Sequence, residues 1–358
     1  MSIAIILVVR WHLATEAEEA YQQSVARPLV RHPHPAPALI PVAPHPAPAQ
    51  DGPQATIEQR WELDAAYIQG RYEDLDLLID RLATLHDRFD DGRFKLSAVR
   101  TTMEKIVEPP PAYSESYKGI AKWRKARPLS AAGAIAEAIY WRMYAWDARG
   151  PGLANTVTPE GFQLFSERLH EAANVLQRTK RFSSKNPLWY AEAMEASLGL
   201  GESREQLTAI YDEGIGRYPQ FFPLHFQMLR ALQPRWGGSF EETKTFIDHV
   251  VESAHANERA VLYARLWWNV DQISDAEVDI FVDGGADWKP MNDGFEALAK
   301  AWPKSLWNRS SQAYFACRAG DYATYAMLRV ALGANIHREA FPANFTVDVC
   351  DRRSGPTA

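Results

Sequence analysis

The stretch AAYIQGRYEDLDLLIDRL, Ala65 to Leu82, decides the fold of this chain. Gly70 separates two apolar-periodic runs, Trp61, Leu63, Ala66 and Tyr67 before it and Leu75, Leu78, Ile79, Leu82 and Leu85 after it, mostly at three- and four-residue spacing. Such spacing gathers apolar side chains on one face of a helix. Glycine reaches backbone angles closed to other residues, so the stretch reads as two helices joined by a short turn. Shifted by 250 residues the pattern returns: Ala66, Gly70, Tyr72, Leu78 and Leu82 fall on Ala316, Gly320, Tyr322, Leu328 and Leu332.

A small residue, Gly, one residue, Tyr and then an apolar helix is the turn of a tetratricopeptide-like hairpin, in which the Tyr fills the space between the helices. Leu207, Tyr211, Gly214 and Pro219 match the second helix of such a unit, with Pro ending it. The units are unevenly spaced. The prediction is therefore all-α: an irregular tetratricopeptide-like helical-hairpin stack, an α-solenoid, over residues 55–358. Further helices are expected over Ser130 to Arg149, from Pro159 (capped by Thr158) to about Phe182, and from Asn186-Pro187 onward. The second of these sets Phe162, Phe165, Leu169, Ala173 and Leu176 on one face. Phe240 to Ala254 and Ala260 to Val270 follow, then a helix capped by Ser274-Asp275 and closed by Gly284-Gly285. The one candidate strand is Phe345 to Val349.

The N-terminal part differs in kind. Residues 1–27 hold an apolar start, Ile3 to Val9, too short to span a bilayer, and a short polar helix over Glu16 to Gln23. The start reads as the remnant of a signal or anchor. Residues 28–54 are a Pro/Ala-rich linker, with nine prolines between Pro28 and Pro53 and only Arg31 and Asp51 charged. It is expected to be a disordered, polyproline-like spacer. His32, His34 and His45 in it lack the fixed geometry a metal site needs. An apolar start before a Pro/Ala spacer suits a tether. Membrane association is expected through the N-terminus only, which favours the cell envelope over the cytoplasm.

With 358 residues and a net charge of -6, the chain lacks the clustered Lys/Arg surface that nucleic acid requires. The basic run Lys118 to Arg127 reads as a solvated helix face. Two cysteines, Cys317 and Cys350, exclude a disulfide-dense scaffold and a four-cysteine zinc site. In an oxidising compartment they can pair and staple the C-terminal region; in a reducing one they are small hydrophobes or free thiols.

Several stretches together carry a resemblance: AWDARG (Ala145 to Gly150), TVTPEG (Thr156 to Gly161), PRWGGS (Pro234 to Ser239), YARLWW (Tyr263 to Trp268) with Gln272, Trp288, Trp302-Pro303, and FACRAGD (Phe315 to Asp321). The set resembles a bacterial family catalogued as a domain of unknown function, number 4034, over roughly Ala55 to Asp351. The resemblance implies an α-helical, tetratricopeptide-like protein. It implies no activity and supplies no catalytic residue.

The residues offer little chemistry of their own. There is no Gly-rich phosphate loop, no HExxH and no Gly-x-Ser-x-Gly elbow. His249 and His255 fall on different helical faces, and Cys317 as a nucleophile would need a base such as His337. No cofactor and no metal are expected. The carboxylates Glu160, Glu167, Glu171, Glu192, Glu195, Glu241 and Glu242 leave open a cell-envelope hydrolase with a working pair. A toxin-immunity or secretion-associated role follows from fold analogy alone. The leading expectation is a non-catalytic scaffold that binds a protein or peptide, since helical stacks present concave surfaces and aromatics with Arg anchor partners there. PRWGGS breaks the helical pattern within six residues and sets Arg235 and Trp236 in a forced turn. Those two, with Tyr263, Arg265, Trp268 and Gln272, are the candidate binding residues. The competing reading makes PRWGGS a plain inter-helix corner, with Trp236 packed and Arg235 capping carbonyls.

Overall fold

The computed structural model describes residues 51–106, 113–152 and 154–355, and among them fifteen α-helices form with no β-strand. The expected apolar start, the polar helix and all but the end of the Pro-rich linker lie outside these residues. The linker's last residues are helical, because α1 (Gly52–Ile68) begins at Gly52 with Pro53 in its first turn, where proline lacks no needed donor. The sequence reading has one domain over 55–358. The structure has two compact units, formed by residues 60–85 with 99–200 and by residues 51–59 with 86–98 and 201–355.

The first unit holds the rest of α1, α2 (Tyr72–Leu85), most of α3 (Lys95–Ile106), α4 (Tyr113–Ala126), α5 (Ala131–Arg149), α6 (Pro159–Ser183) and α7 (Leu188–Leu200). Helix α5 is its hub, packing on α2, α4, α6 and α7. Its run AAGAIAEAI keeps side chains small, so helices close on it from several sides, and every residue from Ala132 to Tyr140 is buried. The N-cap Ser130 accepts from Gly133 N at 2.7 Å and donates to Asp76 of α2 at 2.5 Å. Trp123 Nε1 and Arg127 Nε also donate to Asp76, at 3.1 and 3.0 Å, so this buried carboxylate is fully matched. In α6, Phe165, Leu169 and Leu176 are buried as expected, while Phe162 points to solvent.

The second unit adds α8 (Arg204–Arg217), α9 (Pro223–Ala231), α10 (Phe240–Ser253), α11 (Arg259–Ile273), α12 (Trp288–Ala301), α13 (Leu306–Arg318), α14 (Tyr322–Leu332) and α15 (Val347–Ser354). From α10 onward each helix packs on the next, α9 packs on α8 and α11, and α15 packs on α13. Their core holds Trp267, Trp268, Phe295, Phe315 and Tyr325. Burial of each large apolar side chain contributes about 1.5–3 kcal/mol.

The paired hairpins are as the sequence predicts. Gly70 and Gly320 both take left-handed angles, φ 68° and 77°. Gly70 N donates to Tyr67 O at 3.0 Å and Arg71 N to Ala66 O at 2.9 Å. Gly320 N donates to Cys317 O at 3.2 Å and Asp321 N to Ala316 O at 2.9 Å, the same two bonds 250 residues on. Each pair satisfies the last carbonyls of a helix in a Schellman turn. Tyr72 then stacks on Trp123 with ring centroids 5.9 Å apart, filling the inter-helix space.

Two local expectations fail. Residues 274–284 form turns, not a helix: Asp279 accepts from Phe281 N through its own carboxylate, and Arg318 of α13 binds the Val278 carbonyl. Short polar side chains that bond neighbouring backbone compete with helix in this way. Phe345 to Val349 is no strand; Ala343–Phe345 is a 3₁₀ turn, and Thr346 caps α15 by accepting from Val349 N at 3.3 Å.

Candidate functional site

The corner at 234–239 is built from local rules. Pro234–Trp236 forms one 3₁₀ turn, Gly237 follows at φ 80°, and Ser239 caps α10 by accepting from Glu242 N at 3.1 Å. At Gly238 a Cβ would lie 2.1 Å from the Leu232 carbonyl oxygen, so the chain returns too closely for a side chain. Arg235 donates to the Ile273 carbonyl at the end of α11 and lies 3.7 Å from Asp275. That is the carbonyl-capping role of a plain corner. Yet Arg235 is exposed, and Trp236 beside it is half-buried.

The other four candidates do not join this surface. Trp268 sits in the core among Phe295, Trp307 and Phe315, and Arg265 is buried too, so neither can anchor a partner on an open face. Tyr263 is half-buried and its hydroxyl accepts from Asp287 N at 2.8 Å. Gln272 alone is fully exposed. At 100° per residue, Arg265 and Trp268 share the buried face of α11 and Tyr263 lies on the opposite side, while Gln272 stands in the last turn of the helix.

The carboxylates fall into two groups. Glu160, Glu167, Glu171, Glu241 and Glu242 are exposed on helix surfaces. Glu192 and Glu195 of α7 are buried and held by arginines. Arg142 of α5 binds Glu192, and its Nη2 reaches Glu104 of α3 at 2.6 Å. Arg100 of α3 lies 3.3 Å from Glu192, 3.4 Å from Glu195 and 3.5 Å from Glu104. Burial works against both guanidinium charges, but Glu192, Glu104 and Glu195 outweigh it and raise the pKa of Arg142. The same carboxylates raise that of Arg100. Two arginines and three glutamates thus lock three helices together. Glu192 and Glu195 act here as acceptors for arginine.

Sequence reasoning missed this cluster and a second one. The signal for the first is Arg142, Glu192 and Glu195 set in otherwise apolar helical runs. The second is announced by RFDDGRF, Arg88 to Phe94, whose Asp-Gly pair is a tight-turn signal. Phe89 N donates to Arg93 O at 3.0 Å and Gly92 N to Phe89 O at 2.9 Å. Gly92 has φ 82°, and a Cβ there would meet Trp302 at 2.6 Å. Buried Asp91 at the tip accepts from Gly52 N at 2.9 Å and from Arg93 N and Nε, each at 2.9 Å. Its carbonyl accepts from Arg265 Nη2 at 2.6 Å and Asn308 Nδ2 at 3.1 Å. The guanidinium of Arg88 lies 3.8 Å from the Phe94 ring centroid and 5.5 Å from that of Phe222, and Arg265 lies 5.3 Å from Phe222 and 5.6 Å from Trp302.

Cys317 of α13 and Cys350 of α15 are both buried and joined in a disulfide, with their Cα atoms 5.8 Å apart. Among the described residues no three His, Cys, Asp or Glu side chains gather as a metal site, and no helix is long and apolar enough to cross a membrane.

A family model described as Domain of unknown function (DUF4034) matches residues 60–194. AWDARG and TVTPEG lie inside the match; PRWGGS, YARLWW and FACRAGD lie beyond it. No curated protein and no solved structure matches the chain.

Proposed function

Taking as premise that residues 60–194 belong to the DUF4034 family, we propose that the protein is a non-catalytic helical scaffold that binds a protein or peptide. The observation that carries this is the corner at 234–236. Arg235 and Trp236 stand at the surface on a one-turn 3₁₀ element, and the Ile273 carbonyl fixes the guanidinium. A held Arg beside an aromatic loses little conformational freedom on binding, the quality of an interface anchor. The engagement of Glu192 and Glu195 by arginines supports a binding role over a hydrolase. The Cys317–Cys350 bridge suits an oxidising compartment such as the cell envelope.

The test is site-specific photocrosslinking in the cells that make the protein, with the probe at position 236 and, as control, at the exposed Val282. One defined partner should be trapped at 236 and not at 282, and Arg235→Ala should reduce that product several-fold while leaving thermal unfolding unchanged. Equal products at both positions, or none at 236, would remove the proposal.

A further inference from the structure

At the 88–94 turn two arginines lack an ion-pair partner, although Asp87 and Asp90 lie beside and within the turn and Glu258 acts on Arg88 from a distance. Three guanidiniums, of Arg88, Arg93 and Arg265, approach a turn with one buried carboxylate, that of Asp91. Asp91 is already taken: Gly52 N and Arg93 Nε share one oxygen, and Arg93 N occupies the other. Arg93 also donates to Gly52 O and Thr56 Oγ1, so its charge and its donors are used. Arg88 and Arg265 are in a different position. Each has a single hydrogen bond, to a neutral backbone carbonyl: Arg88 Nη1 to Gly92 O at 2.9 Å and Arg265 Nη2 to Asp91 O at 2.6 Å. Among the described residues neither has a carboxylate within ion-pair distance.

Arg265 is 5% exposed, and its Nε is buried with no hydrogen-bond partner. A guanidinium out of water is costly unless it is paired and its N–H groups are satisfied. The aromatic rings compensate in part, since a cation over a ring face gains about 0.5–2 kcal/mol. They supply no negative charge and no acceptor. Both arginines lie near the one Phe222 ring, so their guanidinium carbons are at most about 11 Å apart. Burial lowers the pKa of both, that of Arg265 to about 10, with Asp91 pulling it back up and the like charges of Arg88 and Arg93 pushing it further down. For Arg88 the opposing influence is the carboxylate of Glu258, outside ion-pair reach.

We infer that Arg88 and Arg265, with the ring of Phe222, form a binding site for a small oxyanion, a carboxylate or a phosphate group. A planar fork of N–H donors suits such a ligand, which would supply the missing acceptors and charge together. Arg88 is half-exposed and gives the ligand its entry; Arg265, enclosed, gives it a desolvated partner. The inference rests on these two guanidiniums without an ion-pair partner and is independent of the corner at 234–236.

The experiment uses the full chain, with thermal unfolding and calorimetric titration against inorganic phosphate and against acetate, each compared with sodium chloride at equal ionic strength. Saturable stabilisation by phosphate, acetate or both is expected, and which probe acts tells the two oxyanions apart. Arg88→Gln should weaken the apparent affinity at least tenfold, whereas Arg235→Gln should leave it unchanged. No stabilisation beyond that of chloride would overturn the inference, as would equal binding by Arg88→Gln. Because the wild-type titration is decisive by itself, a variant that unfolds does not shelter the idea.

Discussion

Two clusters of arginines, one in each unit, are held on opposite terms. In the first, Arg100 and Arg142 meet Glu104, Glu192 and Glu195, and the carboxylates raise both guanidinium pKa values against burial. In the second, Arg88 and Arg265 meet rings and carbonyls, and burial prevails, lowering both. A matched set of buried charges fixes helices in one arrangement. An unmatched set leaves room for something else to complete it.

Substitution separates the two cases. Arg142→Met leaves Arg100 alone to face Glu104, Glu192 and Glu195, so stability measured by urea unfolding should fall by about 3–5 kcal/mol. Reducing the Cys317–Cys350 bridge removes the covalent tie between α15 and α13; with the cysteines 33 positions apart in sequence, the loss should be about 4 kcal/mol in the chain-entropy model. Amide hydrogen exchange should place that loss in the second unit, and protection lost around Arg142 would break the contrast.

A pH effect should also be confined to the second unit. Burial lowers the pKa of His225 from 6.5 to about 4, and the ring nitrogen lies 2.8 Å from the Tyr211 hydroxyl. Below pH 6.5 the unfolded chain takes up a proton that the folded one refuses until about pH 4. The neutral ring's contribution is therefore whole above 6.5 and lost as pH falls through that window, roughly 3 kcal/mol in all. His225→Gln should flatten the unfolding profile between pH 6.5 and 4. The smallest effect belongs to Arg265→Met. It loses one hydrogen bond and an unpaired buried charge, so the cost should stay below about 2 kcal/mol. A cost equal to that of Arg142→Met would erase the distinction between the clusters.

Helix punctuation was legible because it is local. Ser130, Thr158 and Ser239 each cap the helix the sequence assigns them, and the turns at Gly70 and Gly320 share the bonds their shared pattern implies. Arg265 and Trp268 were misplaced because YARLWW alone does not say which face of α11 is covered; Phe295, Trp302 and Phe315, distant in sequence, decide it. The turns at 274–284 depend likewise on Arg318. The division into two units was illegible because residues 86–98 interrupt the first unit yet belong to the second.

That interruption has a consequence for synthesis. Asp51 binds Ser305 and Trp307, 254 and 256 residues later, and Asp91 waits 217 residues for Asn308. At ~5–20 residues per second, a ribosome needs roughly 10–50 s to deliver those partners. Phe94, buried in the finished protein, likewise lacks its ring partners until Phe221 and Phe222 have been made. The 88–94 turn is thus among the last parts of the chain to complete its contacts, although it is among the first to be made.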